Sequence, residues 1–429
     1  MWLYGIKDWR DDVLSVTRLL NGTATPADAL RYGRLTGKVP SHLLHFSADK
    51  KPVVVWNVTQ RCNLFCMHCY ASAQNREYPG ELTTAEGLQL LDDLVRFGAP
   101  TLLFSGGEPL TRPDLFELVS HASASGLRCV LSTNGTLITP VAADKIAGSG
   151  FTYVGVSLDG IGEAHDKIRG KKGAFDEALR GLRLCRDRGV RVGLRFTIHH
   201  KNLDQLPDIF DLLETEEIDR CCVYHLAYAG RGDRIRSYDL TPAETRASVE
   251  FIFDRVQDYQ RRGIDKEILT VDNHTDNVLL YKRVQRDVPE RADEVYQMLE
   301  WNGGNQSGIA IACVDPRGNV HADQFSWDYT LGNVRERLFS EVWADATEPR
   351  MAILKDRKAH LKGRCAGCKW LKVCNGNLRV RAERYFGDFL APDPACYLTD
   401  EEIGIEPGSA AAAEASKWPV PVQQAGVAA

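Results

Sequence analysis

Long apolar runs are missing from the chain. No 18 consecutive apolar residues occur, so no segment reads as a membrane span. A basic excess is missing as well: 53 Lys and Arg stand against 58 Asp and Glu, a formal net charge of −5. That balance excludes the concentrated positive surface that nucleic acid requires. The first residues include Asp8, Arg10, Asp11 and Asp12 and no cleavable apolar stretch, so no export signal is expected and the cytoplasm is the expected location. No internal repeat is found. What remains, at 44% hydrophobic and 26% charged residues over 429 positions, is a globular composition with room for a large barrel and a smaller appended unit.

Cysteine is plentiful, with twelve residues, and it clusters. Three lie at Cys62, Cys66 and Cys69, and four at Cys365, Cys368, Cys374 and Cys396. In a reducing compartment such clusters point to metal or catalysis before disulfides. Cys129, Cys185, Cys221, Cys222 and Cys313 are scattered through apolar segments and read as small buried hydrophobes.

Residues 1–50 read as a helical preface, with Val13, Val16, Leu19 and Leu20 at helical spacing. From 51 to 235 short apolar runs (53–58, 101–104, 128–132, 153–157, 190–197 and 221–226) alternate with amphipathic stretches such as 85–97, 114–124 and 175–188. Strand–helix alternation calls for a parallel sheet with right-handed crossovers. About six such units fit, which predicts an α/β fold, a partial (β/α)6 barrel of the TIM type open on one side. Residues 236–307 read as a helical connecting region with a helix start at Thr241-Pro242. A hairpin (309–314 and 319–322) around the Asp315-Pro316-Arg317-Gly318 turn opens a small domain over 308–405. The Ala-, Pro- and Gly-rich tail, 406–429, is expected to be disordered.

The triplet follows the first strand directly, in a strand-to-helix loop, the catalytic end of a barrel. Three thiolates suit a [4Fe-4S] cube and leave one iron open to a small molecule. Zinc with His68 as fourth ligand is the rival, although His68 is wedged between Cys66 and Cys69 and the four would be cramped. The four later cysteines close a coordination sphere, and spacing alone leaves structural zinc and a fully ligated iron–sulfur cluster both open.

Cys62-x3-Cys66-x2-Cys69 with Tyr70 resembles the signature of the radical SAM superfamily. Its companions follow in order. Ser105-Gly106-Gly107-Glu108-Pro109, after the second strand, resembles the family's glycine-rich segment that holds the methionine amino group of S-adenosylmethionine (SAM). Glycines allow close backbone approach, and Glu108 can meet a positive amine. Ser132-Thr133-Asn134-Gly135 and Ser157-Leu158-Asp159-Gly160 resemble segments near the SAM ribose and carboxylate, which makes Ser132, Asn134, Ser157 and Asp159 candidate contacts. Arg195 on the fifth strand is a candidate partner of the SAM carboxylate. The resemblance implies reductive cleavage of SAM to a 5′-deoxyadenosyl radical that abstracts hydrogen from an unactivated carbon.

The C-terminal cysteines resemble the distal half of a SPASM extension, with Leu378 where a further ligand stands in the full version and only Cys313 near the hairpin. One auxiliary cluster is therefore expected, making two [4Fe-4S] clusters with SAM as cofactors. Further segments extend the likeness to the NirJ family of haem d1 biosynthesis over about residues 50–405: 79–84, Tyr228-Ala229-Gly230-Arg231-Gly232, Gly303-Gly304-Asn305, Gly318-Asn319-Val320-His321 and 396–401. That resemblance implies didecarboxysirohaem as substrate, radical removal of two propionate side chains with oxo-group formation, and an electron donor such as flavodoxin or ferredoxin. A tetrapyrrole needs a wide apolar slot with cations for its carboxylates. Arg231, Arg234 and Arg236 are the candidate clamps, and His225, Tyr228 and His321 the candidates for ligating substrate iron or moving protons. The alternatives are a SPASM-type enzyme that modifies peptides or matures a sulfatase, and a non-enzymatic iron–sulfur or zinc scaffold. Against the first, residues 1–50 lack a clear three-strand pattern; against the second, a scaffold has no need of the SAM-type segments.

Overall fold

A computed structural model describes residues 14–25 and 51–419. Six strands follow the six expected runs: β1 (Val53–Asn57), β2 (Leu102–Ser105), β3 (Cys129–Thr133), β4 (Phe151–Ser157), β5 (Val192–Ile198) and β6 (Arg220–His225). They pair in chain order, all parallel. Four more strands extend them at both ends: β7 (Glu267–Val271), β8 (Ile311–Val314), β9 (Asn319–His321) and β10 (Gly332–Asn333). The sheet runs β10-β9-β8-β1-β2-β3-β4-β5-β6-β7, and β7 and β10 stay unjoined, so the barrel is partial. The fold is the expected α/β class.

The period of two along each strand sorts the chemistry. Phe104, Leu131, Val154, Val156, Leu194 and Phe196 are buried beneath the surrounding helices. Their neighbours Ser105, Ser132, Ser157, Arg195 and Thr197 line an inner cavity instead. The helices start and stop on local signals. Thr83 caps the helix Thr84–Phe97 in a capping box, with the Thr83 hydroxyl accepting from Glu86 N and the Glu86 carboxylate from Thr83 N. Thr241 and Glu244 repeat the device at the helix Pro242–Arg262, at the start that Thr241-Pro242 predicts.

Three boundaries depart from expectation. The 236–307 region is not wholly helical, because β7 lies within it and pairs in parallel with β6. The hairpin β8–β9 does not belong to a separate small unit. β8 pairs in parallel with β1, from Val53↔Ile311 to Trp56↔Val314, and so continues the main sheet. The tail is ordered through the helix Ala410–Ser416 and Trp418, whose ring meets Phe386 edge-on; residues 420–429 lie outside the described residues. In the preface, the helix Val16–Asn21 buries Val16, Leu19 and Leu20 and is tied to β7 by Ile268 N donating to the Thr17 hydroxyl (3.0 Å). Val13 and most of the preface lie outside the described residues. Of the scattered cysteines Cys129, Cys185, Cys221 and Cys313 are buried and Cys222 is half-buried. Cys313 accepts a hydrogen bond from Asn57 Nδ2 (3.1 Å) within the sheet. Among the described residues no helix is long and apolar enough to cross a membrane.

Candidate active site

A cavity of about 1090 Å³, counted out to its open mouth, lies at the carboxyl ends of the parallel strands. Cys62, Cys66 and Cys69 all line it. So do Gly106, Gly107, Ser132, Asn134, Ser157 and Arg195. The sequence motifs thus converge on one space.

The triplet's loop is held from three sides by backbone that only glycine permits. A Cβ on Gly107 would stand 2.2 Å from Arg61 O, and one on Gly106 would stand 2.3 Å from Thr59 O. A Cβ on Gly230 would stand 2.2 Å from Tyr70 O. Hydrogen bonds close these contacts: Gly107 N to Thr59 O (2.7 Å), Glu108 N to Arg61 O (2.8 Å), Phe65 N to Arg169 O (3.2 Å) and Arg231 N to Cys69 O (2.9 Å). The Gly106-Gly107 pair therefore serves close approach of two protein loops, besides facing the cavity.

Buried donors reach the sulfurs. Arg169 Nη1 donates to Cys66 Sγ (3.6 Å) and Asn134 Nδ2 to Cys62 Sγ (3.8 Å). Arg169 also pairs with Asp159 (2.5 Å), and Asp159 lies 3.3 Å from His68 Nε2. Burial alone would raise the Asp159 carboxyl, but the Arg169 guanidinium holds it below the usual carboxylate range. Burial pushes the His68 pKa down to about 3, so the ring is neutral. Burial, with Glu108 nearby, pushes the Cys62 thiol up to about 12. A thiol in such surroundings becomes a thiolate through a metal rather than through its environment. N–H donors on the sulfurs are what an iron–sulfur cluster's thiolates accept. The site's residues therefore fit a cluster held by Cys62, Cys66 and Cys69.

Several expected residues lie elsewhere. Glu108 does not face the cavity. Fully buried, it accepts from the Thr133 hydroxyl (2.8 Å) and Asn134 N (2.8 Å) and so braces the loop after β3. Burial raises its pKa to about 7 in spite of those bonds. Asp159 is likewise turned away from the cavity, accepting from Thr197 N (2.9 Å) and holding Arg169. Tyr228 donates to Asp239 (2.8 Å) and lines a separate, smaller cavity. His321 is buried against Trp327 and bonded to Tyr329 O (2.9 Å), outside the cavity lining. Of the three histidine and tyrosine candidates only His225 lines the cavity. The arginine clamps disperse because a short helix, Arg231–Arg234, turns them apart. Arg231 lines the cavity but spends Nε on Cys66 O (2.7 Å) and Nη1 on Ala73 O (2.8 Å). Arg234 and Arg236 are exposed, and Arg236 donates to Arg384 O (3.0 Å).

Residues without a sequence signal complete the wall. Arg169, Asp272, Gln324 and Phe325 all line the cavity. Asp272 would have been found had β7 been read as a strand, since it follows that strand's end. Nothing in their spacing marks Arg169 or Gln324.

Cys365, Cys368, Cys374 and Cys396 line a second cavity of about 460 Å³. Gly304 and Asn305 press on its wall: a Cβ on Gly304 would stand 2.4 Å from Cys374 O, and Asn305 N donates to that oxygen (3.1 Å). Burial pushes the Cys368 thiol up to about 12. Leu378 is buried and packs with Ala227, Ala229, Phe325 and Val380. Among the described residues no three His, Cys, Asp or Glu side chains draw together as ligands of a single ion. Each cysteine set lines its own cavity.

The model of the radical SAM superfamily matches residues 56–213. The chain is 56% identical over 395 residues to Fe-coproporphyrin III synthase of Methanosarcina barkeri, covering 91% of this chain and 99% of that protein. It is 44% identical over 356 residues to pre-heme d1 synthase of Dinoroseobacter shibae, covering 82% and 88%. In fold it is similar to Streptococcus suis SuiB bound to S-adenosylmethionine, with a TM-score of 0.64 at 18% identity over 83% of this chain and 80% of that one.

Proposed function

The chain belongs to the radical SAM superfamily, and from that premise we propose that it is the enzyme that converts a carboxylated iron tetrapyrrole on the route to a haem. The observation that carries the reading is the one cavity shared by the triplet, the SAM-type segments and a wall that includes Leu226, Phe325 and His225. A flat, apolar substrate with acidic side chains suits such a wall.

Cys62, Cys66 and Cys69 would hold a [4Fe-4S] cluster, which would supply one-electron cleavage of SAM. The chain's own residues do the rest. Asn134, Ser157 and Arg195 offer an amide, a hydroxyl and a guanidinium to the polar parts of SAM. Arg169 and Asn134 donate to the ligand sulfurs, and the helices around the sheet exclude water. Cys365, Cys368, Cys374 and Cys396 would hold a second, fully ligated cluster. Held there, such a cluster would supply electron transfer.

The greater likeness is to the protein named for iron coproporphyrin III, and that product is the first reading. Removal of two propionates with oxo-group formation is the second, supported by the likeness to pre-heme d1 synthase. The test is anaerobic incubation of the iron-loaded enzyme with dithionite, SAM and didecarboxysirohaem, with products identified by mass. A product matching iron coproporphyrin III supports the first reading, and one bearing oxo groups supports the second. Tetrapyrrole left unchanged while 5′-deoxyadenosine accumulates would sink both.

A further inference from the structure

A buried chain of three side chains runs from the larger cavity to a residue beside Cys396. His225 ends β6 and lines the larger cavity. Its Nε2 lies 2.8 Å from Asp276 Oδ2. The other oxygen of Asp276 accepts from Tyr397 Oη (2.9 Å). Tyr397 follows Cys396, and Thr275 and Val278, flanking Asp276 in the chain, line the second cavity. All three members are buried. Further bonds lash the same loop to the C-terminal region. Asn273 Nδ2 donates to Ala395 O (3.0 Å), and His274 N donates to Asn377 Oδ1 (2.8 Å).

We propose that His225 is a substrate-anchoring residue whose imidazolium Nδ1–H takes a carboxylate of the tetrapyrrole, and that Tyr397 positions it through Asp276. The inference rests on the tetrapyrrole reading above. Asp276 occupies Nε2, which leaves Nδ1 as the atom without a partner among the described residues. A carboxylate on one ring nitrogen favours the doubly protonated ring, so the other nitrogen is a charged donor. Burial opposes that charge, yet Asp276 more than offsets it and holds the pKa above the ordinary histidine value. Tyr397 matters because it occupies the second oxygen of Asp276. Without it the carboxylate is free to rotate, and the ring with it. The region that carries the second cysteine set thereby sets the geometry of the substrate wall. Tyr397 and Asp276 are positioning residues, and only His225 touches substrate.

The experiment measures dissociation constants by equilibrium dialysis on the iron-loaded full chain. The probes are iron coproporphyrin III, its tetramethyl ester and metal-free coproporphyrin III. His225→Gln should weaken both free acids roughly tenfold, the contribution of one charge-assisted hydrogen bond. Binding of the ester should not change. Tyr397→Phe should weaken the free acids by a few fold, and the double variant should be no weaker than His225→Gln alone, since both act on one contact. Additive effects would overturn the positioning chain. A His225→Gln loss confined to the iron-bearing probe would overturn carboxylate anchoring in favour of iron ligation. Wild-type binding matched by both variants would overturn the anchor and leave the tetrapyrrole reading standing. A wild type that binds none of the probes would overturn both.

Discussion

Gly107→Ala isolates the contact that seats the cysteine loop. The glycine takes no left-handed conformation, so the added methyl acts through space alone. It would stand 2.2 Å from Arg61 O and 2.6 Å from both Arg61 C and Gln60 O. Relieving that overlap needs a retreat of about 1 Å, and overpacking of this kind costs about 1–3 kcal/mol. The retreat also strains the bonds Gly107 N to Thr59 O and Glu108 N to Arg61 O, at about 1 kcal/mol each. The sum, about 3–5 kcal/mol, lies within the margin of a stable protein, so most molecules stay folded. Cys62 follows Arg61, however, and its sulfur shifts with it, whereas ligand positions tolerate only about 0.2 Å. Iron should fall from about eight per chain to about four, as two four-iron clusters imply. Dithionite-dependent cleavage of SAM should vanish with it. The assay is iron content, electron paramagnetic resonance of the reduced protein, and 5′-deoxyadenosine by chromatography. Gly148→Ala is the control, because an added Cβ there meets nothing within 4 Å. A Gly107→Ala protein that keeps its full iron and cleaves SAM at the wild-type rate would refute the reasoning.

Cys374→Ala should likewise lower iron by about four per chain, yet leave reductive SAM cleavage in place while product formation stops; unchanged product yield would dismiss an electron-transfer role. Asp393→Ala should cost about 3–5 kcal/mol, seen as a fall in melting temperature, because it strands the fully buried Arg381 guanidinium. Arg261→Ala, at an exposed ion pair with Asp258, should change stability by less than about 1 kcal/mol. His225 binds its proton more tightly folded than unfolded, so its contribution to stability is complete below about pH 6.5 and is lost as pH rises through the higher folded value. Urea midpoints at pH 6 and pH 8 should differ less in His225→Asn than in wild type.

The half of the site that handles the cofactors was legible because each strand from β1 to β4 leads directly into a motif whose residues it presents. Cys62, Gly106, Ser132 and Ser157 are each read off a motif that begins at a strand's carboxyl end. The motif did not say which way each side chain turns. Glu108 and Asp159 stand in the right segments but face inward to Thr133, Asn134 and Arg169, because a buried carboxylate takes its partners from the nearest free N–H and guanidinium groups.

The half that would meet substrate was scarcely legible, and the physical reason is its assembly from distant chain. Asp272 follows β7, a strand of five residues between long helices whose apolar content is too small to stand out. Phe325 follows the hairpin β8–β9, whose place beside β1 depends on parallel pairing that no local pattern announces. Arg381, buried with Asp393, reaches Leu226 O (3.1 Å) and Asp272 O (2.6 Å), fastening the ends of β6 and β7 to a segment more than 100 residues later. The wall that contains His225 is therefore set by the C-terminal region as much as by the barrel. Exchanging residues 360–405 for those of a relative with another substrate should then change tetrapyrrole affinity while the triplet still binds iron and cleaves SAM. A swap that moved SAM cleavage and left tetrapyrrole affinity untouched would contradict that division of labour.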